Sequence, residues 1–299
     1  MDHKYRTKPR APELRKNQTA LLDALITGNQ TRASEIIEDS ISKRWAPTTI
    51  YVSLVAHSMT EIGALWHRGK VNISTEHRAT QIAFRLLSQA KNSYPESSRT
   101  GLSAIVSGVA GDTHLGGPLV FADLLRFDGW TVDFLGTDTP SDAILEIVTS
   151  KEPELLCLSV TLPDQIATAA KTINMVKNTA PSTTVIVGGG AINKNGSHNS
   201  LATADHTTTD AVAALKWISE QFDLGISAKT VEEMLASIGR RIQSLRKEAG
   251  LSQQQLASIS KLDRSYVSAV EHGKQNVSFA TLKNLSDALD ISIVELIDD

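Results

Sequence analysis

Apolar residues recur every three to four positions between residues 11 and 96, the period of helices with one buried face. LLDALITG predicts a helix stopped at Gly28. Thr31 stands where a cap is needed for TRASEIIEDSISKRW. Pro47 opens a third helix, TTIYVSLVAHSMTEIGALWHRG, which runs to Gly69. Ser74 is placed to cap a fourth, STEHRATQIAFRLLSQAKNSY, with Glu76 and His77 in its first turn. Four helices with short connections predict an antiparallel four-helix bundle over residues 11–96.

The pattern changes over residues 100–222. Short apolar runs (GLSAIVSGV, WTVDFLGTDTP, LLCLSVTLP, TTVIVGGGAI) alternate with amphipathic ones (PLVFADLLRFDG, SDAILEIVTSKEPE, DQIATAAKTINMVKNTAP). DHTTTDAVAALKWISEQF closes the series as a helix. Such alternation predicts an α/β domain with a doubly wound, flavodoxin-like parallel sheet. Ligands of these sheets bind outside the carboxyl ends of the strands, where GDTHLGG, GTDTP, SVTLPD and GGGAI fall. Residues 223–230 form a polar linker, and residues 231–299 contain short helices only. Residues 1–10, MDHKYRTKPR, are expected to be a disordered basic arm.

Composition narrows the class. With 299 residues and 41% hydrophobic content the chain suits several packed domains. A net charge of -3 requires any nucleic-acid surface to be local. The single cysteine, Cys157, excludes a disulfide framework and a cysteine-based zinc site. With no signal peptide and no apolar run of transmembrane length, the expected place is the cytoplasm, away from membranes.

Two stretches carry candidate chemistry. WHRGKVNISTEH sets Trp66, His67, Glu76 and His77 at a helix junction, where mere packing needs no such group of side chains. After the first strand comes Asp112-Thr-His114-Leu-Gly-Gly117, a DxHxxG arrangement. No GxGxxG follows that strand, which argues against a dinucleotide. DxHxxG within this strand order resembles the cobalamin-binding fold of methionine synthase, the corrinoid proteins and the cobalamin-dependent photoreceptors. The resemblance implies that His114 is the lower ligand of cobalt, with Asp112 holding its other ring nitrogen. It also implies a deep slot for the displaced nucleotide tail, with Ser159, Thr161, Gly188, Gly189 and Gly190 at its contacts. Thr161 departs from the leucine of the family's Ser-x-Leu element.

Trp66 followed after nine residues by Glu76-His77 resembles the W-x9-EH signature of the light-sensing regulators that use adenosylcobalamin (the CarH or LitR type). It implies that Trp66 and Glu76, with His77 nearby, shape a pocket for the adenosyl group. His67 matches the imidazole that becomes the upper cobalt ligand after light.

LRKEAGLSQQQLASISKLDRSYVSAVEHGK, then FATLKNLSDALDISIVELI, resembles the lambda-repressor-like (Xre-type) helix-turn-helix, an all-α domain. The resemblance implies that Ser252 caps the first helix of the motif and Gln253 contacts a backbone phosphate. Ala257 sits at a close helix crossing, and Asp263 caps the recognition helix. Arg264, Ser265, Tyr266 and Ser268 lie on the groove-facing turns, and Gly273 ends the helix. Arg240, Arg241, Arg246, Arg264 and Lys274 give this mildly acidic region a local basic surface. Photoreceptors of this type usually carry a MerR-like domain at the N-terminus. The exchanged head therefore leaves assembly and operator geometry open.

Together these resemblances imply a cobalamin-dependent, light-responsive transcriptional regulator that is not an enzyme. Its cofactor would be adenosylcobalamin, with methylcobalamin as the alternative. Its partners would be double-stranded operator DNA and further copies of itself, as a dimer or higher oligomer. Two other functions stay open: a light-independent cobalamin sensor, and a corrinoid methyl carrier that uses the helix-turn-helix for docking.

Overall fold

A computed structural model describes residues 8–94, 100–192, 201–222, 224, 231–293 and 296, with residues 231–234 given by backbone only. Most of the expected basic arm and of the linker lies outside these residues. The chain divides into two compact units, Met1–Trp217 and Ile218–Asp299.

The first unit opens with helices α1 (Ala11–Thr27) and α2 (Gln30–Ser42). A π-helical segment, Thr49–Ala56, continues into α3 (His57–His67), and α4 spans Ile73–Ser93. Gly28 ends α1 in the left-handed conformation, at φ 77°. The starts of α2 and α4 differ from expectation by two residues. Asn29, not Thr31, caps α2, and its side chain accepts from the Arg32 N–H at 3.0 Å. Asn72, not Ser74, caps α4; it accepts from the Thr75 N–H and from the Ser74 hydroxyl, each at 2.8 Å. Ser74 already lies inside the helix, so its hydroxyl supports the cap instead of forming it.

A parallel five-stranded sheet follows in the order β2-β1-β3-β4-β5, the flavodoxin-like order. Its strands are β1 (Ser103–Val109), β2 (Thr131–Thr139), β3 (Leu155–Ser159), β4 (Thr184–Gly188) and β5 (His206–Thr208). The last strand lies inside DHTTT, which the sequence pattern had assigned to the lead of a helix. Helices α6 (Ser141–Lys151) and α7 (Ile166–Thr179) bury Ile144, Val148, Ile173 and Val176 against Leu156, Leu158, Val185 and Val187. Helices α5 (Gly116–Phe127) and α8 (Ala211–Gln221) complete the α/β layers.

Bundle and sheet domain join at Asp123, which is 3% exposed on α5. Its Oδ1 accepts from Lys91 at 2.9 Å and from Arg126 at 2.8 Å, and its Oδ2 from the buried Tyr51 hydroxyl at 3.4 Å. That hydroxyl also reaches the Leu87 carbonyl at 2.9 Å. Burial, reinforced by the Asp123 charge, pushes the Tyr51 phenol well above its ordinary range. Phe127 packs edge-on between Tyr51 and Tyr94, with centroid distances of 5.4 and 5.5 Å. Bundle helices and α5 thus share one aromatic and ionic joint.

The second unit is all-helical: α9 (Val231–Glu248), α10 (Gln253–Ser260), α11 (Arg264–Glu271) and α12 (Phe279–Ala288). Ile242, Leu256, Val267, Val270 and Leu285 form its core. A Cβ at Gly239 would lie 2.3 Å from the Val270 carbonyl oxygen, so this glycine lets α9 cross α11 closely.

Asp123→Asn should lower stability by about 2 kcal/mol, the value of hydrogen bonds to a charged partner. Tyr51→Phe should cost about 1 kcal/mol. Urea unfolding of the intact chain measures both, and an unchanged midpoint for Asp123→Asn would show that the joint contributes nothing.

Candidate functional site

The loop after β1 is organised by one carboxylate. Asp112 is 1% exposed. Its Oδ1 accepts from the His114 backbone N–H at 3.0 Å and from His114 Nδ1 at 2.8 Å, and its Oδ2 from the Thr161 N–H at 2.5 Å. Asp138, near the end of β2, accepts from the Gly111 N–H at 2.7 Å and returns its own N–H to the Asp112 carbonyl at 2.9 Å. The loops after β1 and β3 and the end of β2 are thereby laced together. A carboxylate only accepts, so in neutral His114 the proton sits on Nδ1 and the Nε2 lone pair stays free. The His114 side chain is 50% exposed, which leaves that lone pair available to a ligand.

Beside this loop lies a cavity of about 160 Å³, bounded by the sheet, α5 and α8. Gly117, Ser159, Gly188 and Gly189 line it, as do Thr208, Thr209, Asp210, Ala211 and Ala214. The second group was not picked out from the sequence. Gly189 has φ 123°, and a Cβ there would lie 2.2 Å from the Val160 carbonyl oxygen, so the third strand's loop demands glycine. Thr161 meets Asp112 through its backbone, and neither it nor the exposed Gly190 belongs to the cavity wall.

At the bundle end, Trp66 and His67 are the last two residues of α3. A Schellman closure fixes them: Gly69 N–H donates to the Trp66 carbonyl at 2.8 Å and Lys70 N–H to that of Leu65 at 2.8 Å. Trp66 is 40% exposed, and its ring lies 4.8 Å from that of His67. Glu76, on the first turn of α4, accepts from the Thr80 hydroxyl at 2.8 Å and stands 3.7 Å from His77 Nε2. All four residues gather at one helix junction.

The residues suit a corrinoid. Among the described residues no three His, Cys, Asp or Glu side chains converge on a metal position. His114 offers a single nitrogen, which fits a metal that brings its other ligands with it, as a corrinoid does. The slot suits a nucleotide tail, and the open Trp66 face suits an apolar or aromatic upper group.

In the second unit Ser252 and Gln255 form a reciprocal capping box on α10. Arg264 and Ser265 are exposed at the start of α11, whereas Tyr266 and Ser268 are half-buried. The Tyr266 hydroxyl donates to the Asn276 carbonyl at 3.4 Å. Asp263 holds the N-cap position of α11 without a side-chain cap bond. The Gln253 amide donates to Glu271 at 2.8 Å. Arg246 does not belong to the basic surface. It is buried, with bonds of 2.5 and 3.1 Å to Glu271 and 2.7 Å to the Leu251 carbonyl. Burial alone would raise the Glu271 carboxyl, but the bonds from Arg246 and Gln253 outweigh it and hold the group below the usual carboxylate range.

Comparison with known proteins defines the class. Profiles of the B12 binding domain match residues 102–216 and 18–91, and a helix-turn-helix profile matches residues 242–296. The first unit takes the fold of the Methanosarcina barkeri monomethylamine corrinoid protein, with a TM-score of 0.57 and 18% identity over 69% of this chain and 98% of that one. Control protein C.MunI of Mycoplasma sp is 44% identical over 20% of this chain and 84% of its own length. The transcriptional repressor CarA of Myxococcus xanthus is 28% identical over 41% of this chain and 42% of its own length. The chain is a two-part B12-binding module followed by an Xre-type helix-turn-helix. This combination makes it a cobalamin-dependent DNA-binding regulator whose helix-turn-helix follows the B12-binding domains.

Glu271→Gln leaves Arg246 as an uncompensated buried charge and should cost about 3–5 kcal/mol. Thermal unfolding measures it. The carboxyl is depressed in the folded state, so its contribution is full at neutral pH. It is lost as the pH falls below the unfolded carboxylate range and through the still lower folded value. A variant as stable as the parent at pH 7 would refute this role.

Proposed function

We propose that the protein is a light-responsive regulator that senses adenosylcobalamin and is not an enzyme. The supporting observation is the Asp112-oriented His114 at the sheet's carboxyl edge, in one chain with an exposed Trp66–His67 pair and a DNA-binding head. Adenosylcobalamin, when bound, supplies a Co–C bond that visible light breaks. His114 would ligate the cobalt through Nε2. The slot beside Ser159 and Gly188 takes the nucleotide tail, and Gly117 and Gly189 keep it open. Trp66 and Glu76, with His77 at the rim, bound the space for the upper group. His67, whose ring packs beside Trp66, would be the imidazole that ligates cobalt once the upper group is lost. Its movement shifts the α3–α4 junction and changes self-association or head placement.

The head binds operator DNA in the cytoplasm. Arg264 and Ser265, on the exposed start of α11, approach base edges, with Tyr266 and Ser268 behind them, while Gln253 approaches a phosphate. One recognition helix reads few base pairs, so two heads on a pseudo-palindromic site are needed. No described helix is long and apolar enough to cross a membrane.

His114→Ala should abolish the spectral signature of a protein-derived lower nitrogen and weaken binding of adenosylcobalamin in the dark. Unchanged spectra and affinity would remove His114 from the site.

The switch is tested by gel shift on the protein's own promoter region, apo, dark-loaded and illuminated, at fixed salt. Operator affinity should differ by about tenfold or more between dark and lit protein, or 1.4 kcal/mol. A change on cofactor loading without a light effect would identify a light-independent sensor. Copurified methylcobalamin with a methyltransferase partner would identify a methyl carrier. His67→Ala should load normally in the dark and lose its cofactor faster than the parent after light.

A further inference from the structure

The cavity beside β3 has a graded chemistry that follows from strand register. Val106, Cys157 and Ile186 are successive register partners across β1, β3 and β4. Two residues further along lies a second row, Gly108, Ser159, Gly188 and Thr208. Alternation along a strand returns to the same face every second residue, so both rows face α5 and α8. The inner row is apolar and lines the cavity. The outer row is small, and Ser159 and Thr208 line the cavity there, with Thr209 and Asp210 just beyond β5. The opposite wall consists of Pro118 and Phe121 from α5 and Ala211 and Ala214 from α8. Polar groups therefore stand at the outer end, and the inner end holds aliphatic groups and one thiol. Cys157 is buried, and burial drives its thiol well above the ordinary range. It stays neutral, a weak donor and a poor acceptor.

We infer that this gradient selects the base on the cofactor's nucleotide tail, accepting a dimethylbenzimidazole and rejecting a purine. The inference rests on the cobalamin reading of the site. The edge of dimethylbenzimidazole that travels deepest carries two methyl groups, which match Val106, Cys157 and Ile186. Adenine carries ring nitrogens and an exocyclic amine on the corresponding edge. Inserted to the same depth, these groups lose water and meet no partner. The ribose and phosphate that follow either base reach Ser159, Thr208 and Thr209, so the outer end does not discriminate. Selectivity resides in the inner row, and Cys157 at its centre is the specificity-determining residue.

The test is equilibrium binding in the dark to the full-length protein, followed by absorbance, with three probes sharing the same corrin and upper group. One carries dimethylbenzimidazole, one adenine, and one, a cobinamide, lacks the nucleotide. The dimethylbenzimidazole probe should bind at least about tenfold more tightly than the adenine probe, the consequence of one unpaired polar group in an apolar pocket. Equal affinity of the two would overturn the inference. If no probe binds, the cobinamide included, the cobalamin reading itself fails. Ala214→Phe fills the slot and should bring the two nucleotide-bearing probes to the cobinamide value. Cys157→Ser, a smaller change, supplies a hydroxyl at the inner row and should narrow the preference several-fold. An undiminished preference in folded Cys157→Ser would move the selectivity away from this residue.

Discussion

A carboxylate that water cannot reach must be satisfied by the chain around it, and Asp112 is such a group. Among the described residues it has no lysine or arginine hydrogen-bond partner. Backbone N–H groups from its own loop and from the loop after β3 share its oxygens with the His114 ring. Leaving such a group unmatched costs several kcal/mol, so the loops are held where the carboxylate needs them. Orientation of His114 follows from the same contact. The position of the Thr161 backbone follows too. One buried carboxylate therefore sets both the orientation of His114 and the path of the loop after β3.

A second buried carboxylate, Asp123, does comparable work on the other side of α5. It gathers a phenol, an ammonium and a guanidinium, so the bundle has a fixed seat on the sheet domain. The π-helical turn places Tyr51 in that seat. Extra residues in a helical turn shift every later side chain around the axis, and α3, which carries Trp66 and His67, continues directly from it. The register of the bundle's functional end is thus tied to its anchoring end.

Much of this was legible in the sequence because period and punctuation are local properties. Bundle helices, four of the five strands and the helices of the head follow from spacing and from Gly28, Gly69 and Gly273. DxHxxG and the Trp66–Glu76 spacing marked the two ends of the proposed site. The rest depends on tertiary arrangement. β5 has three residues, too few to show alternation, and exists because β4 offers it an edge. Thr208, Thr209 and Asp210 became visible as cavity residues only once that strand was placed. Asp123 reads as an ordinary helix-surface residue until Tyr51 and Lys91 are brought to it. Arg246 looks basic and exposed until Glu271 is found beneath it. Caps at Asn29 and Asn72 were misplaced because a nearby Thr or Ser satisfies the same local rule.

Helix α8 serves two masters. Ala211 and Ala214, near its start, form part of the slot wall, while Trp217 lies flat on His206 of the edge strand, 4.6 Å between rings. The boundary between the two compact units falls at the next residue. Thermodynamic reciprocity then applies in both directions. If filling the slot changes the head's grip on DNA by some factor, occupied DNA changes the slot's affinity for its ligand by the same factor. A protein seated on its operator and one free in solution would therefore draw on the same cofactor pool with different strengths.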